Sequence, residues 1–148
     1  MLEKNKSFLT DLLFFDNSKP EVKNYFVGII RVIVNDFSPE AYNDIVSRCF
    51  TLVQKYGGDV NQFLSGIILA LWGVPLSSPT DKEKCLKFFE ELKNSDLPLS
   101  ACLINDTGLY GRFGNETRLT ITPVSDNILS AIKEVVNSDK CIYVNKVT

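Results

Sequence analysis

The stretch GGDVNQFLSGIILALWGVP, residues 57–75, holds two apolar runs, VNQFL and IILALWG, separated by Ser65-Gly66. A Ser-Gly pair between two such runs suits a tight turn, so residues 59–64 and 67–72 are predicted to be the arms of a β-hairpin. Its tip carries nothing that can hold a metal or move a proton. Gly57-Gly58 end the segment before it, and that segment reads as a helix. Ser38 offers an N-cap and Pro39 the first helical position; Tyr42, Ile45, Val46, Cys49, Phe50, Val53 and Tyr56 then recur at helical spacing.

Working outward, YFVGIIRVIV (25–34) is β-branched and almost continuously apolar, the mark of a strand covered on both faces. Asn35-Asp36-Phe37 turns the chain. Beyond the hairpin, TDKE (80–83) is a capping box opening a helix that buries Cys85, Leu86, Phe89 and Leu92. LPLSACLIN (97–105) reads as a strand, GLYGRFGNET as a glycine-bearing loop and RLTIT (118–122) as a strand. Ile128, Leu129, Ile132, Val135 and Val136 form a helical stripe, and KCIYVN (140–145) closes as a strand. Residues 1–25 are expected to form a short helix around Leu9, Leu12, Leu13, Phe14 and Phe15, with a connector through Lys19-Pro20. Residues 26–148 then make one domain. The element order is β-α-β-β-α-β followed by β-α-β. Its first six elements spell an α+β, ferredoxin-like split unit, a sheet with helices packed on one face.

The 148 residues, 45% of them hydrophobic, suffice for one ordinary core. A net charge of −2, with cations scattered among acids, argues against nucleic acid as a partner. The longest apolar runs are about half the ~20 residues a bilayer crossing needs, and the N-terminus lacks the long apolar core of a signal peptide. Together these imply a cytoplasmic location with no membrane segment in this chain. Cys49, Cys85, Cys102 and Cys141 are widely spaced in apolar contexts and read as four reduced, buried thiols. The chain has no histidine, which removes the commonest general base and metal ligand.

At this point GGDVNQFLSGIILALWGVP resembles the hairpin of the class III nucleotidyl cyclases, the adenylate and guanylate cyclase family, with Gly57-Gly58, Phe63, Ala70, Trp72-Gly73 and Pro75 in register. GLYGRFGNETRLTIT is similar to the family's later segment through Gly111, Gly114, Arg118 and Ile121-Thr122, and VSDNILSAIK follows where the family's catalytic helix lies. The likeness runs from about residue 26 to 145. It implies the cyclase fold, a ferredoxin-like core extended by a further β-α-β, and a head-to-tail dimer with composite sites. In such sites two aspartates hold two metal ions, and an asparagine and an arginine from the other subunit act on the ribose and the phosphorane. Carboxylate oxygens suit hard divalent cations, and a fixed cation suits growing phosphoryl charge.

Carried over position by position, the metal aspartates fall on Arg31 and Gly66, the base-reading lysine on Gln62, the asparagine on Leu129 and the arginine on Lys133. Thr122, at the second base-reading position, and Asp126 remain family-like. The resemblance therefore implies a domain silent as a cyclase, with no catalytic residue, metal or cofactor, and a regulatory and dimerising role in signalling. Its partner would be a second copy or another cyclase-type domain. Alternatives stay open: a sensor binding a nucleotide or small anion in the degenerate cleft, or activity completed by a partner chain. The candidate ligand-binding residues are Arg31, Arg118, Thr122 and Lys133, with Arg112 a further cation for the same pocket across a dimer. Arg31 has two readings, an anion-binding guanidinium standing where the metal would be, or a cation that pairs with Asp36, Asp59 or another acid or snorkels to the sheet edge.

Overall fold

A computed structural model describes residues 19–33, 38–138 and 141–147. The readings placed on residues 1–18 and on Asn35-Asp36-Phe37 lie outside them. The described chain forms β1 (Glu21–Val32), α1 (Pro39–Lys55), β2 (Asp59–Leu64), β3 (Ile67–Trp72), α2 (Asp81–Lys93), β4 (Leu99–Gly114), β5 (Leu119–Val124), α3 (Asp126–Val136) and β6 (Tyr143–Asn145). The element order is the expected one, and the hairpin arms fall on the expected residues. The sheet runs β2-β3-β1-β4-β5, with β6 added parallel to β4 at Ala101–Leu103. All other pairs are antiparallel. The order β2-β3-β1-β4 is that of the split unit.

β1 is the spine. β3 bonds to one of its edges over Phe26–Arg31 and β4 to the other over Glu21–Val32. Alternate residues of β1 therefore face two separate cores, as a strand buried on both sides requires. Ile30 and Val32 face the layer formed with Val53 of α1 and Phe88 of α2, where the Trp72 and Phe88 rings lie 4.9 Å apart. Val27 and Ile29 face the other layer, formed with Ile128, Ala131 and Val135 of α3. The first six elements keep their helices on one face, as expected, and α3 covers the opposite one.

Several local expectations need correction. Glu21–Asn24, expected in the connector, form the first part of β1 ahead of the strand read from Tyr25. The glycine-bearing loop after residue 105 is not a loop, because β4 continues to Gly114 and turns back through Asn115–Arg118 into β5. The closing strand shortens to Tyr143–Asn145. Ser38 caps α1 through its hydroxyl, accepting from the Ala41 amide, but Thr80 makes no side-chain cap on α2. Asp81 instead accepts from the Ser78 amide at 2.6 Å, so the carboxylate closes the preceding turn rather than a capping box.

Cys49, Cys85 and Cys102 are buried, and Cys141, expected inside, is exposed beyond the strand. Burial pushes the thiols of Cys49 and Cys102 up to about 11, and burial reinforced by the Asp81 charge pushes Cys85 up to about 12. The unfolded chain releases these protons near the ordinary 9.0, whereas the folded chain holds them to 11 or 12. Their contribution to stability is thus full below about pH 9 and is lost as the pH rises through 11 to 12. Urea unfolding should show a falling midpoint above pH 9, and a thiol reagent at pH 8 should label Cys141 in the native state before the other three. Equal labelling of all four would contradict this packing.

Candidate functional site

The hairpin tip is a two-residue turn in which both central residues have positive φ, Ser65 at 51° and Gly66 at 79°. That is the primed geometry whose twist matches the flanking strands. The Val32 amide donates to the Gly66 carbonyl at 3.0 Å, so the tip is docked against the end of β1. Arg31 pairs across the sheet with Ile67, the residue after the tip. The two positions to which the resemblance assigns metal aspartates are thus brought side by side, and both hold something else.

Arg31 is in step with Val27 and Ile29 and points to the α3 side. Its Nη1 donates to the Val136 carbonyl at 2.7 Å and to the Ser138 carbonyl at 3.3 Å. Val136 is the last residue of α3, so the guanidinium satisfies backbone acceptors that the helix end leaves over and places positive charge at the negative end of its dipole. Both sequence readings of Arg31 missed this. Among the described residues no carboxylate pairs with it, and Asp36 lies outside them. The feature that accounts for it, two main-chain carbonyls more than a hundred positions away, leaves no side-chain trace in a sequence.

Gly66 is closed to a side chain. A Cβ there would lie 2.7 Å from the Tyr42 hydroxyl of α1, at a backbone angle that L-residues rarely adopt. Among the described residues, no group of three or more Asp, Glu, Cys or His side chains is clustered closely enough to share a metal ion.

The two positions to which the resemblance assigns base reading do meet. β2 and β5 stand at opposite ends of the strand order, and a flat sheet would hold them roughly 19 Å apart, four strand spacings. Yet Gln62 Nε2 donates to the Thr122 hydroxyl at 2.7 Å, and Asn61 Nδ2 donates to the Ile121 carbonyl at 3.0 Å. The sheet therefore curls until its edges touch. A register shift between Val60 and Gln62 frees Asn61 to reach across. Asn61, also 3.4 Å from the Thr122 hydroxyl, belongs to this group although the sequence reading passed over it.

Arg112 and Arg118 do not join Arg31 within one chain. Arg31 opposes Ser100 near the start of β4, whereas Arg118 lies past its far end, in the turn anchored by Asn115. Arg112 opposes Ile121 near that far end. Lys133 and Leu129 stand one turn apart on the exposed side of α3, with Leu129 52% exposed, and Lys133 sits one turn before the end that Arg31 caps. Asp126 opens α3 as its first residue, where a carboxylate favours the helix dipole. Asp59 is exposed at the start of β2, with its carboxyl shifted up by local desolvation, and Trp72 and Tyr110 are core residues. Two cavities of about 420 Å³ lie elsewhere, one between α1 and α2 beside Lys55 and Glu91, the other at the β4–β5 turn.

No protein-family model matches the chain, and no curated protein matches it by sequence. Solved structures do match. The adenylyl cyclase CyaB from P. aeruginosa superposes with a TM-score of 0.63 at 16% identity, over 84% of this chain and 77% of that one. The fold is that of the nucleotidyl cyclase domains. The guanylate cyclase domain of RhGC from Catenaria anguillulae, solved with GTP, gives a TM-score of 0.64 at 13% identity over 84% and 79%. A guanylyl cyclase domain of the RhoGC fusion protein from Blastocladiella emersonii, described as a non-canonical dimer, gives 0.64 at 14% over 84% and 81%. At such identities it is the cyclase fold that is shared, and the side chains discussed above belong to this chain alone.

Restoring a carboxylate at the tip should strain the hairpin. Gly66→Asp is expected to lower stability by about 1–3 kcal/mol in urea unfolding, from the positive φ and the Tyr42 contact together. Adding Tyr42→Phe should recover part of that loss and leave the backbone share. A Gly66→Asp protein as stable as its parent would show that the tip tolerates a side chain.

Proposed function

We propose that this chain is a catalytically silent domain of the cyclase fold, serving as a cytoplasmic regulatory and dimerising module in signalling. The observation that carries the reading is Arg31, a cation at a position where the resemblance requires a metal ligand, with its guanidinium engaged by the carbonyls that end α3. A divalent cation placed beside it would meet positive charge rather than paired carboxylate oxygens. Gly66 adds no oxygen, and Leu129 and Lys133 offer neither the carboxamide nor the planar fork that the complementary roles need. Apolar side chains around the same place support pairing with a second copy or with another cyclase-type domain. Leu64, Leu129 and Val136 are 72%, 52% and 39% exposed, and Leu64 opposes Ile67, the cross-strand neighbour of Arg31.

A second reading, a sensor for a nucleotide or a small anion, draws on the Gln62–Thr122 pair. An amide and a hydroxyl held 2.7 Å apart offer both a donor and an acceptor to the edge of a base. In this reading Arg31 and Lys133 supply the positive charge for its phosphates.

Three assays on the purified chain separate these readings. Sedimentation should show a dimer, and no cyclic product should form from ATP or GTP with Mg²⁺ or Mn²⁺. Thermal unfolding should be unmoved by ATP, GTP or cyclic nucleotides if pairing is the whole function. A rise in Tm that needs no metal and disappears in Gln62→Ala and Arg31→Ala supports the sensor. Metal-dependent cyclic product from the chain by itself overturns both.

A further inference from the structure

Tyr25 and Asp106 face each other across β1 and β4, at 0% and 4% exposure. Asp106 Oδ1 is well served, accepting from the Thr107 amide and from Asn127 Nδ2 in the first turn of α3, both at 2.9 Å. Asp106 Oδ2 and the Tyr25 hydroxyl are buried with no partner among the described residues. Buried polar atoms of folded proteins are satisfied as a rule, by water where no protein group reaches them. The Tyr25 hydroxyl points at Gly108, where a Cβ would lie 2.7 Å from it and 3.0 Å from the Val124 carbonyl. Gly108 does not have the positive φ that demands glycine. A side chain there would collide with the Tyr25 hydroxyl and crowd the Val124 carbonyl.

We propose that the start of α3 contains a buried hydration site, in which one water molecule accepts from the Tyr25 hydroxyl and donates to Asp106 Oδ2. The chemistry selects a neutral ligand with both a donor and an acceptor. The Asp106 carboxylate repels an anion, and the positive end of the α3 dipole, one turn away at Ser125–Asn127, disfavours a cation. The phenol is a lasting donor, because burial and then the Asp106 charge push its pKa up to about 12. Since Asn127 holds the other oxygen of the same carboxylate, the water completes a polar link from β1 through β4 into α3. It fixes the helix that carries Leu129 and Lys133 on its outer side.

A crystal structure of the whole chain at high resolution tests this. The expected result is one density peak within about 3 Å of both Tyr25 Oη and Asp106 Oδ2. A direct contact between those two atoms, or no peak near them, would overturn the proposal. A cation in the same place is told apart in solution, since the water predicts one Tm in NaCl, KCl and choline chloride at equal ionic strength. A rise specific to Na⁺ or K⁺ would overturn it. Gly108→Ala should push the Tyr25 hydroxyl aside and remove the peak, and a peak that survives that substitution counts against the site as drawn. The measurements on the parent chain decide the matter even if Tyr25→Phe or Asp106→Asn fails to fold, and none of these outcomes depends on whether the chain has catalytic activity.

Discussion

Arg31, half-buried near the end of the central strand, places its guanidinium on the carbonyls that close α3. That contact joins the central strand to α3, the helix that covers its side of the sheet among the described residues. Arg31 stands at one of the two positions to which the resemblance assigns a metal ligand, and its contact is made from within the same chain. Arg31 is only half-buried and its shorter bond lies open to solvent, so the charge-assisted contact with the helix end offsets a partial desolvation. The docked hairpin tip beside it follows the same logic. Gly66 accepts from Val32 and leaves no room for a side chain under Tyr42. Each of the two positions to which the resemblance assigns a metal ligand thus makes a structural contact that suits the residue present.

The curl of the sheet is the second organising feature. β2 and β5 meet through Asn61, Gln62, Ile121 and Thr122, side chain to backbone and side chain to side chain, instead of through a ladder. A contact of that kind holds the two edges in place and keeps the amide and hydroxyl groups near the surface. α3 lies within the curved face, tied at its start through Asn127 to Asp106 and at its end to Arg31. The helix whose outer side bears Leu129 and Lys133 is therefore pinned at both termini by polar contacts and along its length by Ile128, Ala131 and Val135.

What could be read from the sequence was what is written locally. The hairpin at 59–72 and the helix from Pro39 declare themselves through turn and cap chemistry, and the alternation of β1 between two cores shows as an unbroken apolar run. β4 was harder, because Gly108 and Gly111 look like loop residues. They sit in a strand because other groups approach them closely, the Tyr25 hydroxyl at Gly108 and the Pro20 backbone at Gly111. Such approaches come from distant parts of the chain and cannot be seen in a local window. The same holds for the face that α3 covers and for the partner of Arg31. The meeting of Gln62 with Thr122, sixty positions apart, became an expectation only through the resemblance to a family. The Asn61 contact, which depends on a bulge, had no signal at all.

The central claim is that the place between β1 and the hairpin tip is occupied by an internal cation contact rather than by a metal site. It is tested most directly by a crystal of this chain soaked with Mn²⁺ and a non-hydrolysable nucleoside triphosphate. Anomalous scattering should show no manganese beside Arg31 and Gly66, with Arg31 Nη1 still on the Val136 and Ser138 carbonyls. Manganese bridging a triphosphate there, with Arg31 swung away from α3, would contradict the account.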